Sequence, residues 1–116
     1  MGVQQHEIPA TKEARLRLLS AIEGGDPSVA SLESLDVSCR LLGPDRLDAV
    51  LRRLEALQTA AVHLAISFND IGPAGARRLA SSAIAGQLES LEISGNELGD
   101  EGVEALLSGE VFTSCL

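Results

Sequence analysis

The chain has 116 residues, the length of one small domain, and a formal charge of −8 at pH 7, which sets it against nucleic acid or an anionic membrane as partners. Phe68 and Phe112 are its only aromatic residues, so any core must be built from Leu, Ala, Val and Ile. The opening stretch MGVQQHEIPATKEARLR lacks the apolar run of a signal peptide, and nowhere does an apolar run approach the about 20 residues of a membrane helix; the expectation is a cytoplasmic protein.

Residues 1–10 carry no periodic pattern and are expected to be loosely attached. Thr11 offers an N-cap oxygen, and a helix is predicted over Lys12–Glu23, with Leu16, Leu18, Leu19 and Ile22 gathered on its inward side. Gly24-Gly25 ends that helix, and Asp26-Pro27-Ser28 turns the chain. Three similar stretches follow. The first, LESLDVSCRLLGPDR from Leu32 to Arg46, predicts a strand over Ser34–Ser38. Pro44 and Asp45 then suit the first turn of a helix whose inward stripe is Leu47, Val50, Leu51, Leu54 and Leu57. The second, AVHLAISFNDIGPAG from Ala61 to Gly75, predicts a strand over His63–Ser67. Its helix is predicted from Pro73 to Ala85, with Ala76, Leu79, Ala80, Ala83 and Ile84 turned inward. The third, LESLEISGNELGDEG from Leu88 to Gly102, predicts a strand over Ser90–Ser94 and a helix from about Asp100 carrying Val103, Leu106 and Leu107. Beyond Gly109 lie Val111 and Phe112, and Leu116 falls 28 positions after Leu88, where a further copy would begin.

The copies are in register. Leu35 and Leu64 are 29 positions apart and Leu64 and Leu91 are 27 apart, and Gly43, Gly72 and Gly99 each follow the last apolar slot. Leu88, Leu91, Ile93, Asn96 and Leu98 occupy the offsets L-x-x-L-x-L-x-x-N-x-L, the leucine-rich repeat signature, and Leu64, Ile66, Asn69 and Ile71 repeat it. The lengths, the Leu-Gly-Asp-Glu-Gly run and the helical second halves resemble the ribonuclease-inhibitor type of leucine-rich repeat, also found in NOD-like receptors and Ran GTPase-activating proteins. That resemblance implies an α/β fold: a right-handed solenoid, a horseshoe segment with parallel strands on the concave face and helices on the convex face. It divides the chain into a tail and capping helix over 1–30 and repeats over 31–116, starting near Leu32, Ala61 and Leu88, with the start of a fourth.

The resemblance also implies structural roles for Asn69 and Asn96, whose amides point inward to backbone groups of adjacent turns. Arg40 stands in the corresponding slot of the first copy and is expected to break that ladder by swinging toward solvent. Strand alternation places Ser34, Asp36 and Ser38, then His63, Ala65 and Ser67, then Ser90, Glu92 and Ser94 on the open face, with Phe68, Asp70 and Glu97 on its rim. In relatives that face is the usual partner surface, so these residues are candidates for binding a protein with a basic face. Ser38, His63 and Asp36 lack a nucleophile elbow or oxyanion loop, so catalysis is not expected. No metal or cofactor is expected either. Cys39 and Cys115 would lie about 14 Å apart at about 4.8 Å per parallel strand, too far for a disulfide. Two alternatives differ in class: a GTPase-activating regulator using Arg40, and a structural fragment of a larger repeat receptor or sensor. The apolar C-terminal edge further suggests self-association.

Overall fold

Thr11 begins the segment that the structure, a computed structural model, describes, which is residues 11–108. The expectations for residues 1–10, Val111, Phe112, Cys115 and the edge at Leu116 lie outside the described residues. Thr11 Oγ1 accepts a hydrogen bond from the Ala14 N–H at 3.0 Å, replacing a partner that the first turn of a helix lacks. The helix it starts, α1, spans Lys12–Glu23 and buries Leu19 and Ile22. Leu16, placed inward by the periodicity, is instead 49% exposed, because α1 touches the rest of the fold along one narrow edge, against the next helix and the first strand.

Each copy then gives one strand and one helix: β1 (Ser34–Asp36) and α2 (Gly43–Leu57), β2 (His63–Ala65) and α3 (Gly72–Ala80), β3 (Ser90–Glu92) and α4 (Gly99–Ser108). The strands form one parallel sheet in the order β1-β2-β3, with each intervening helix as the crossover that parallel pairing requires. Leu35 pairs with Leu64 and Leu64 with Leu91, so one buried leucine per copy stacks under the sheet. Leu47, Val50, Leu51 and Leu54 of α2 and Ala76 and Leu79 of α3 close the core from the helical side.

Two expectations are corrected. The strands are three residues long, because beyond Val37, Ile66 and Ile93 the chain enters a turn whose alternate residues are left-handed. Helix α3 ends at Ala80, five residues before the predicted end. Ser81 and Ser82 follow it, and their hydroxyls compete with the helical pattern: Ser81 Oγ donates to the Arg78 carbonyl and Ser82 Oγ accepts from the Ile84 N–H. Ala83 is consequently exposed, while Ile84 is still buried.

Polar ladders join the copies. Asn69 Oδ1 accepts from the Arg40 and Leu42 N–H groups of the preceding copy at 2.8 and 3.3 Å, and its Nδ2 donates to the Val37 and Ile66 carbonyls. Asn96 does the same one step on, for the Asn69 and Ile71 N–H groups. Each asparagine therefore serves the copy before its own. Arg40, in the first copy, has no earlier turn to serve, so it leaves no gap in the ladder. A second ladder runs through serines: Ser38 Oγ accepts from the Ser67 N–H, and Ser67 Oγ from the Ser94 N–H.

Arginines join the helices. Arg46 of α2 reaches Glu23 of α1; Arg78 of α3 reaches Asp48 and Glu55 of α2; Arg77 of α3 reaches Glu101 of α4. The hydrogen bonds from Arg52 and Arg78 hold the Asp48 carboxyl below its ordinary range. Partial burial pushes Glu55 up, but the hydrogen bonds from Arg78 and Ser82 outweigh it and leave Glu55 low as well. A carboxylate with a lowered folded pKa contributes stability above its unfolded pKa and loses it as pH falls through the folded value. Denaturation midpoints are therefore expected to fall on acidification below the ordinary carboxylate range. Arg78→Met should flatten that fall; an unchanged acid limb in the variant would show that the cluster does not couple α2 to α3.

Candidate interaction surface

Three residues per strand leave two outward rows across the sheet, set by the register: Ser34, His63 and Ser90, then Asp36, Ala65 and Glu92. His63 Nδ1 and Ser90 Oγ are 2.8 Å apart, which ties the first row across β2 and β3. Asp36 is engaged from two sides, accepting from the Ser38 N–H at 3.0 Å and lying 3.5 Å from Arg15 Nε of α1. Glu92 is exposed. The face is polar and its negative charge sits mostly toward β3.

Ser38 and Ser67 are not on that face. Both are buried, with hydroxyls occupied by the serine ladder, which corrects their predicted place in the partner surface. The reason is the early strand end: past Asp36 and Ala65 the alternation no longer applies. Ser94, the last serine of the series, is exposed. Asn69 and Asn96 are buried beneath the turns.

Beside the face runs a rim of left-handed residues. Cys39, Phe68 and Gly95 share one position of the three turns (φ 62°, 57° and 67°), and Leu41, Asp70 and Glu97 share another (φ 56°, 55° and 51°). A non-glycine residue in that region costs about 1–2 kcal/mol, so the turns hold it by the hydrogen bonds made from the residues between. The side chains consequently point outward: Leu41 is 79% exposed and Phe68 is 57% exposed. The Phe68 ring lies over Gly95, where a Cβ would come within 2.3 Å of it. Gly95→Ala should therefore cost about 1–2 kcal/mol for the left-handed backbone and push the ring off the turn, read as a loss of ring-current shift on the residue-95 protons. An undisturbed ring would mean that it does not rest there.

Leu41 and Cys39 join Phe68, Asp70 and Glu97 on this rim although the sequence reading passed over them. The repeat spacing held the signal, since Cys39 precedes Phe68 by the same 29 positions that separate Leu35 from Leu64. Arg40 lies between them, half-buried, its Nε donating to the Cys39 carbonyl at 3.0 Å. Cys39 is a free thiol. Among the described residues no three His, Cys, Asp or Glu side chains are grouped to hold a metal ion, and no helix is long and apolar enough to cross a membrane.

Residues 62–80 and 88–107 match the family model described as Leucine Rich repeat. These are the second and third copies, strand through helix. With the parallel strands and crossover helices above, they support an α/β leucine-rich repeat protein, a class that generally mediates protein–protein interaction. No curated protein and no solved structure matches the chain.

Proposed function

We propose that the chain is a protein-interaction module: a short right-handed solenoid of the ribonuclease-inhibitor type, curved as a horseshoe segment with its strands on the concave side. In this reading residues 1–30 hold a tail and a cap, α1, over the first repeat, residues 31–116 hold the repeats, and the protein works in the cytoplasm. The partner is a protein with a basic face, bound across Ser34, Asp36, His63, Ser90, Glu92 and Ser94 and gripped at the rim by Phe68, Asp70 and Glu97. The observation that carries this is Phe68. An aromatic side chain held outward from a left-handed turn, beside two carboxylates, is the kind of anchor on which interfaces concentrate their energy. A GTPase-activating role for Arg40 has less behind it, since its Nε is turned back onto the Cys39 carbonyl.

Selection from a random peptide library on the immobilised protein tests the reading. Enriched ligands should set Lys or Arg beside an apolar residue, and Phe68→Ala and Glu92→Lys should each weaken them about tenfold. Arg52→Ala, on the far side of α2, should leave them unchanged. Ligands that bind both rim and face variants as well as the parent would overturn the proposal.

A further inference from the structure

His63 stands at the centre of the strand face. It is exposed on the middle strand, and the register sets Ser34 on one side of it and Ser90 on the other, so its row holds no second charged group. Carboxylates surround that row. Asp36 and Glu92 flank Ala65 in the next row, a diagonal of about 8 Å from two residues of strand rise and one strand spacing. Glu33 and Glu89 precede Ser34 and Ser90, and Glu33, Glu89 and Glu92 are exposed, as are Asp70 and Glu97 on the rim. Arg15 of α1 brings a cation to this face, 3.5 Å from Asp36. Within residues 11–108 His63 is the only histidine, and imidazole is the side chain whose charge ordinarily changes between about pH 5 and 8. Carboxylates and guanidinium groups ordinarily keep their charge across that window.

The contact with Ser90 carries a change of proton to the surface. His63 Nδ1 and Ser90 Oγ are 2.8 Å apart. With the ring neutral, one of its nitrogens is an acceptor: either Nδ1 takes the Ser90 hydroxyl hydrogen, or Nδ1–H donates to Ser90 Oγ and Nε2 stays open. With the ring protonated, both nitrogens must donate. Nδ1–H then points at Ser90 Oγ, the Ser90 hydrogen turns away from the ring, and a positive charge sits in the middle of the face. We infer, on the reading above that the partner brings cations to this face, that His63 is the residue through which the face discriminates by pH. The neutral ring admits a Lys- or Arg-bearing segment of the partner protein, and the protonated ring expels it. The sign follows from charge. Protonation sets a cation among the carboxylates that attract the segment, and it sets N–H donors against groups that can only donate.

Chemical-shift titration of the 116-residue protein with the peptide acetyl-Lys-Leu-Lys-Leu-Arg-amide tests this, at low salt and at about pH 7.5 and about pH 5.5. Binding at the higher pH should be at least about fivefold tighter, with a midpoint that coincides with the His63 titration read from its own ring protons. His63→Gln should keep the tighter affinity at both pH values, and His63→Lys the weaker one at both. His6→Gln, at the chain's other histidine, should keep the full pH effect. Equal binding by the parent at both pH values would overturn the inference while leaving a cation-binding face in place. A pH effect that persists in His63→Gln would overturn it in the same way. A peptide that binds the strand face at neither pH would remove the basic partner itself, and this inference with it.

Discussion

Asn69→Ala is expected to cost about 3 kcal/mol or more. The side chain is buried and satisfies two N–H groups and two carbonyls in two different turns, and each buried backbone group left without a partner costs about 1–3 kcal/mol. Set against a typical domain stability of about 5–15 kcal/mol, such a loss would bring the fold close to its limit. Asn96→Ala should cost less, because the Ile66 carbonyl that it shares keeps its bond from Asn69. Arg40→Ala, in the same slot of the first copy, should change stability by no more than about 0.5 kcal/mol, as an alteration away from any buried network. Urea denaturation of the three variants beside the parent decides the matter. A loss at Arg40 equal to that at Asn69 would refute the rule that each asparagine serves the copy before it.

Gly102→Leu should cost about 2 kcal/mol by overpacking the joint between α3 and α4. The obstruction is not a flexible side chain that could swing aside: the Leu98 and Ala76 Cβ atoms and the Pro73 Cα are all fixed to backbone. The expected response is that α4 detaches before the rest of the fold. Circular dichroism should then show lost helix, and amide exchange should quicken in 99–108 while α2 stays protected. Glu104→Ala, two residues on and exposed, is the control and should be near neutral. A variant as stable as the parent would mean that α4 sits further from α3 than the structure places it.

The two expectations differ in how far they could be read from residues alone. The importance of Asn69 follows from its slot in a repeated pattern, whereas its direction of service, backward to Arg40 and Leu42, required the fold. In sequence Gly102 is only the last residue of the Leu-Gly-Asp-Glu-Gly run. In the structure it is the close-approach point of two helices, a property of two segments 27 positions apart and invisible in either one.

What the sequence by itself determined was the period and its local consequences. Spacings of 29 and 27 residues place one leucine per copy in the middle of a strand and leave room between strands for a helix, the crossover that the parallel pairing implied by the resemblance needs. Thr11 and Glu23 bound α1 because capping and glycine termination are decided within a few residues. What only the tertiary structure decided was where the pattern stops applying. Ser38 and Ser67 continue the alternation in sequence, yet they are buried because the chain has already turned and the next copy's N–H group claims each hydroxyl. Helix α3 gives out at Ala80, where the local bonds of the Ser81 and Ser82 hydroxyls are joined by one from Ser82 to Glu55 of the neighbouring helix at 2.7 Å, a partner that no local rule supplies. The exposure of Leu41 and Phe68 belongs to the same class. Whether an apolar side chain on a turn is covered depends on its neighbours in space, and here Leu41 is left 79% exposed while the Phe68 ring, lying over Gly95 of the next copy, is still 57% exposed.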